Sequence, residues 1–335
     1  MKKERNYGVD FMRVSFMLIM SLWHFGGLID WLKHGYLAVD FYFALSGYYI
    51  FMSFKHKKYS PIEYLSNRLK RFIPSYLIVL GVMIIIKYKQ FVPIQFNLDY
   101  FFEKIIGLLP QILLLQTSGI YDGLTMVNNP MWYLSVLIIG GSILYCWLSW
   151  NEKLTLNLLL PVVVYIGYII LFSQGKSLDY LWGSGFPMIR GLSNMGMGII
   201  IGKFTYSYHN RVERHFYFYN VMSIICYSLF ILLMLPQKAY DYYCVILIPF
   251  ILIGLTLPNK ATFSIRNIFN NSIWGKLGGI SYEMYLLHMP IGIVFLKIHK
   301  EFTISIIVLT ILYIATLLIF SNLLKKLVGK IFNVI

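Results

Sequence analysis

The run "YLIVLGVMIII", Tyr76–Ile86, has eleven residues, no charged side chain and no alternation of polar with apolar positions. A membrane-spanning β-strand would alternate over about 10 residues; an unbroken apolar run belongs to a helix crossing the roughly 30 Å hydrocarbon layer, which takes about 20 residues. Runs of this kind recur at 8–29, 36–54, 74–92, 98–117, 131–149, 155–173, 185–202, 217–236, 241–257, 277–297 and 302–323. The 335-residue chain is 58% hydrophobic and 13% charged, against about 45–50% and about 25% for soluble domains. Composition and pattern predict an all-α, polytopic membrane bundle forming a single domain over 1–335.

Charge decides which runs cross. The net charge of +15 lies between apolar runs, as the positive-inside rule expects, and argues against a nucleic-acid partner. The stretch near the N-terminus ("KKER"), 55–73, 203–216 and "KKLVGK" near the C-terminus are basic, so all are expected on the cytoplasmic side, with 55–73 as the longest clearly basic loop. Alternating from both termini then puts 93–97 and 118–130 on one side, so 98–117 does not cross. That segment carries Asp99, Glu103, Lys104 and Pro110 and suits an interfacial or re-entrant helix. Ten spans with both termini cytoplasmic is the consistent solution. "MKKER" and the run after it read as an uncleaved first span, because Asp10 and Arg13 interrupt its start and no small-residue cleavage site follows. Cys146, Cys226 and Cys244 sit in apolar runs without CxxC spacing, and the histidines form no metal-ligand cluster.

"RVSFMLIMSLWH", Arg13–His24, sets a cation and an imidazole eleven positions apart. At about 100° and 1.5 Å per residue both project from one helix face, roughly 16 Å apart along the axis. Taken singly, Arg13 reads as a snorkelling anchor or a partner of Asp10, and His24 as a structural residue. Ionisable residues sharing an intramembrane face normally point into the bundle and mark function. A cation at the cytoplasmic mouth suits a phosphate-bearing ligand. A histidine, with an ordinary pKa of about 6.5, can take a hydroxyl proton or carry an acyl group.

Five segments, "RVSFMLIMSLWH", "VDFYFALSGYYI" (Val39–Ile50), "NRLKRFIPSY" (Asn67–Tyr76), "MWYLSVL" (Met131–Leu137) and "ISYEMYLLHMPI" (Ile280–Ile291), resemble, in order, the motifs of the acyltransferase-3 family of bacterial membrane O-acyltransferases. The resemblance implies a ten-helix enzyme of the bacterial cytoplasmic membrane. It would move an acyl group from cytoplasmic acyl-CoA, usually acetyl-CoA, to a hydroxyl of a cell-surface or lipid-linked glycan. By the same resemblance Arg13, Arg68 and Arg71 handle the coenzyme phosphates, with Tyr48 of the Ser46-Gly47-Tyr48 motif beside them, and His24 is catalytic. Members often carry a Glu where this chain has Leu137, so the acceptor would be held by another group or be a different one.

The remaining polar residues carry two readings each. Asp40 either orients His24 or is an interface residue. Gly47 serves close helix packing as readily as Ser46 serves the reaction. Arg68 and Arg71 are also ordinary positive-inside charges facing anionic lipid. Trp132 and Tyr133 belong to an aromatic belt or stack on a sugar. Arg190 and Asn194, an i,i+4 pair costly to bury, are expected to line the acceptor cavity. Glu283 and His288 are about 140° apart on an ideal helix and need not share a face; both are candidates for acceptor binding. Membrane lipid and a glycan or lipid-linked saccharide are the expected partners, and a homo-oligomer is compatible with the sequence. The rival reading is a transporter or exporter of glycan or lipid precursors, which would more often show a structural repeat.

Overall fold

A computed structural model describes residues 5–25, 32–87, 98–117, 126–181, 185–208, 215–236, 238, 240–256, 268–302 and 304–332, and among these no strand occurs. Twelve helices follow in order: α1 Tyr7–His24, α2 Ala38–Lys57, α3 Pro61–Ile86, α4 Leu98–Ile112, α5 Trp132–Trp150, α6 Glu152–Ser173, α7 Phe186–Ser207, α8 Phe216–Leu233, α9 Asp241–Thr256, α10 Ser272–Gly278, α11 Ser281–Glu301 and α12 Ile306–Phe332. The protein is a polytopic helical membrane bundle.

Side-chain contacts sort the helix ends into two sets. At one end Lys55 pairs with Glu152, Lys203 Nζ donates to Asn157 Oδ1 at 2.7 Å, Asn6 Nδ2 to the Leu255 carbonyl at 2.7 Å and Lys325 Nζ to the Gly279 carbonyl at 2.8 Å. At the other end the His34 amide donates to the Met234 carbonyl at 3.0 Å, and Tyr36 and Leu178 donate to Asp241 at 2.9 and 2.7 Å. Ten helices therefore run between the ends in strict alternation: α1, α2, α3, α5, α6, α7, α8, α9, α11 and α12. The described chain begins and ends at the first, lysine-rich end. Six of the ten, some with an adjoining turn, are by themselves long and apolar enough to span; α10 and α11, bent by 56° at their junction, make a seventh. The other three are α1 and α7, which carry the ionisable residues, and α9, which has 16 residues.

Helix α4 does not cross. Its C-terminal end meets the start of α5, where Ser135 Oγ donates to the Leu114 carbonyl at 2.6 Å and Gln116 Nε2 to the Met131 carbonyl at 3.1 Å. Leu98, Phe102, Ile105, Ile106, Leu109 and Ile112 form one exposed face while Gln111 is buried, the reverse of a soluble amphipathic helix and the pattern for one lying in lipid.

The long basic loop expected at 55–73 is not there. Lys58, in the left-handed region at φ 48°, turns the chain, and Ser60 and Glu63 cap each other's backbone amides with Pro61 in the first turn. That pairing starts a helix at once, so Arg68 and Arg71 are helical residues of α3 at fixed positions. In the same way α11 begins at Ser281, after the 277 expected, because α10 ends at the Gly278–Gly279 turn.

Helices α2 and α7 cross at near-backbone contact. A Cβ on Gly47 would stand 1.9 Å from the Met195 carbonyl oxygen, and one on Gly198 would stand 1.9 Å from that of Ala44. Small residues let membrane helices approach this closely, and the approach brings the polar residues of α7 against those of α2.

Candidate active site

On α1 the residues four, seven and eleven positions after Arg13 are Met17, Met20 and His24. The two methionines are fully buried, so this face is turned into the bundle, with the cation at the lysine-rich end and the imidazole at the other.

Around Arg13 the charges do not cancel. Asp10 lies 3.6 Å from Arg13 Nη1, but its close partner is Arg5, whose Nε donates to Oδ2 at 2.6 Å while Nη2 donates to the Gly275 carbonyl. The Asp10 carboxylate holds the Arg5 guanidinium above its ordinary pKa. Arg71 lies within electrostatic reach of Arg13, Arg68 and Glu283. Arg68 and Arg71 rest on the rings of Tyr64 and Phe72 at 5.0 and 5.4 Å, and among the described residues neither forms an ion pair. Four guanidiniums, Arg5, Arg13, Arg68 and Arg71, thus gather about two buried carboxylates, Asp10 and Glu283, and among the described residues Glu283 Oε2 has no hydrogen-bond partner. A surplus of positive charge on planar, forked donors fits a polyphosphate. Tyr48 packs its ring on Tyr49, and Tyr49 lies near Arg13, Asp10 and Arg5.

A file of rings leads from this cluster to His24. The Tyr42 hydroxyl donates to the Arg13 carbonyl. Ring centroids then follow at 6.3 Å (Tyr42–Tyr133), 5.4 Å (Tyr133–Tyr285), 5.8 Å (Tyr285–His288) and 5.1 Å (His288–His24). The Tyr133 hydroxyl faces Ser46, so Ser46 lies along this file, short of the imidazole. Tyr133 is an internal residue rather than part of a lipid-facing belt.

His24 opens onto a cavity of about 280 Å3 lined by Met20, Trp23, His24, Tyr36, Val39, Asn129, Pro130, Trp132, Asp179 and Arg190. Two indoles, a carboxylate, an amide and an imidazole make a wall suited to a hydroxylated ring: flat apolar surface for its faces, polar groups for its edges. Trp132 is buried here, with the Arg190 guanidinium 5.7 Å from its ring, and so stands inside the bundle rather than in an aromatic belt. Among the described residues neither ring nitrogen of His24 has a hydrogen-bond partner. Asp179 sits in a short turn outside the spans, and burial pushes its carboxyl above the ordinary range while Arg190 pulls it down.

Asp40 does not orient His24. Arg190 donates to it from Nε at 2.8 Å and from Nη2 at 2.6 Å, and Asn194 Nδ2 adds a bond at 2.8 Å. Both carboxylate oxygens are occupied, so the nearest acid on α2 neutralises an arginine on α7. Asn194 is wholly buried behind this pair, with Tyr168 donating to its Oδ1 at 2.9 Å; Arg190 reaches the cavity and Asn194 does not line it. Glu283 and His288, five residues apart on α11, serve different places, the carboxylate among the arginines and the imidazole beside His24.

A family model described as an acyltransferase domain, Acyl_transf_3, matches residues 6–323. The chain belongs to the acyltransferase-3 family. It is accordingly a membrane acyltransferase, and all five motifs that carried the resemblance fall within the match. Neither curated proteins nor solved structures give a match. Within this family assignment Leu137 is a core residue, 4% exposed, with no acid in its place. Several cavity residues carry no sequence signal of their own. Asp179 is one acid in a connection, Trp23 looks like any span-end aromatic, and only "NNPMW" (Asn128–Trp132), ahead of its motif, hinted at Asn129.

Proposed function

We propose that the chain is an O-acyltransferase taking the acyl group of cytoplasmic acyl-CoA, most simply acetyl-CoA, to a hydroxyl of a cell-surface or lipid-linked glycan in the bacterial cytoplasmic membrane. The observation that carries this reading is the division of one helix face: surplus arginine charge at the lysine-rich end, and at the other, in an indole-lined cavity, a histidine without a hydrogen-bond partner among the described residues. The positive-inside rule assigns the lysine-rich end to the cytoplasm.

In this reading Arg13, Arg68 and Arg71 hold the phosphates of the donor, and the path past Tyr133 and Ser46 leads its thioester towards the cavity. Trp132, Trp23, Asn129 and Asp179 hold the acceptor ring. His24 takes the proton of the acceptor hydroxyl as its oxygen bonds to the acyl carbon. The C–S bond breaks, and His24 returns the proton to the thiolate, so one proton moves and none is lost.

The test compares O-acetyl content of surface glycan in cells carrying wild type, His24→Ala or Arg13→Ala at matched membrane levels. Loss of acetyl in both variants supports the reading; its persistence in both overturns it. Export of the glycan only when the protein is present would favour transport instead.

A further inference from the structure

We infer that His288 is a positioning residue for His24, accepting at its Nε2 the N–H that His24 turns away from the cavity. The inference deepens the proposed function and rests on His24 acting as the base. It starts from a tautomer: the nearest partner of His288 Nδ1 is the Tyr285 carbonyl, an oxygen that can only accept. Nδ1 therefore carries the hydrogen, and Nε2 is left with a lone pair. That nitrogen is 1% exposed as part of its residue and has no partner among the described residues, and a buried polar atom left unsatisfied calls for an explanation.

The explanation lies next to it. The His24 ring stands 5.1 Å away at 41° to the His288 ring, between His288 and the cavity. A small turn of either ring, or one bridging water, joins an N–H of His24 to the waiting lone pair. The other nitrogen of His24 then presents its lone pair to the cavity, the state a base needs. Asp40, the acid that would otherwise do this, is consumed by Arg190 and Asn194. Tyr313 donates to the His288 carbonyl at 3.2 Å and Tyr285 to that of Pro130, which fixes the α11 segment carrying the second imidazole. When His24 takes the acceptor proton, neutral His288 accepts a hydrogen bond from the imidazolium and itself gains no proton.

The test uses the full chain in lipid nanodiscs with 15N-labelled histidine, His24 signals being assigned by their loss in His24→Gln. One defined His24 tautomer is expected in wild type and a mixture in His288→Leu. Release of free thiol from acetyl-CoA with a glycan-bearing membrane extract is expected to fall about 10–100-fold in His288→Leu, with KM for acetyl-CoA unchanged within about twofold. His288→Gln sets an amide oxygen near the Nε2 position and should recover most of the rate, while His288→Asn, whose oxygen sits near Nδ1, should not. An unchanged His24 tautomer in His288→Leu, or equal rates for the Gln and Asn variants, overturns the inference. Should the Leu variant fail to fold, the Gln–Asn comparison decides. Should wild type release no thiol, the donor assignment falls while the nitrogen spectra still test His288.

Discussion

Asp40 and Arg190 meet inside the bundle as a two-pronged ion pair, 2.8 Å from Nε to Oδ1 and 2.6 Å from Nη2 to Oδ2, their side chains 0% and 6% exposed. Arg190 also bonds the carbonyls of Tyr36 and Leu178, so the pair ties α2 and α7 to the turns that roof the cavity. Its first effect is structural. Removing one partner strands a buried charge at a cost of about 3–5 kcal/mol, whereas removing both is often near neutral. Asp40→Asn and Arg190→Met alone are therefore expected to lower the apparent melting temperature and membrane yield sharply, and the double variant to recover both. Equal damage in the double and single variants would show that the pair is not what holds these elements.

Gly47→Ala is expected to abolish folded protein, because its Cβ would meet a backbone oxygen of α7 that no rotamer change can move. Ser46→Ala, one residue away, should fold normally. Membrane yield and size-exclusion profile read the difference, which separates the packing role of this motif from its chemical role.

Arg5→Ala should weaken the donor without touching it. With Arg5 gone, Asp10 is left to Arg13 alone, which drains charge from the phosphate end. KM for acetyl-CoA is expected to rise severalfold, with kcat nearly constant, while Arg68→Ala and Arg71→Ala raise it by about tenfold each.

Asp179→Asn should trade stability against turnover. Burial raises the folded-state pKa of Asp179, so the folded protein binds that proton more tightly than the unfolded chain. The resulting stability is present at low pH and lost as pH rises through the shifted pKa. The Asn variant is expected to melt higher than wild type by roughly 1–3 °C at pH 8, to lose that advantage as the pH is lowered through the raised pKa, and to transfer acyl groups more slowly throughout.

Much of this architecture is legible in the sequence because lipid imposes a simple rule. Apolar runs must be helices and basic stretches must lie on one side, which leaves 98–117 as the segment that does not cross. The shared face of Arg13 and His24 follows from helix geometry alone. Boundaries were less legible: the Ser60–Glu63 capping box begins α3 well inside what reads as a basic loop. Partnerships were least legible. Asp10 sits one turn from Arg13 yet binds Arg5 more closely, and Asp40 lies nearer His24 in sequence yet binds Arg190, 150 residues away. Such choices are made by helices that meet only in three dimensions. The same is true of Asp179 and Asn129, which become cavity residues only when the turns carrying them fold over His24.

The most direct measurement is the sidedness of donor use. Sealed membrane vesicles of both orientations are given acetyl-CoA from outside, and thiol release and glycan acetylation are followed. Inverted vesicles, with the arginine end outward, are expected to release thiol and to acetylate glycan; right-side-out vesicles should do neither until they are permeabilised. Equal activity from both faces, or activity from the His24 face alone, would contradict a donor path running from Arg13 to His24.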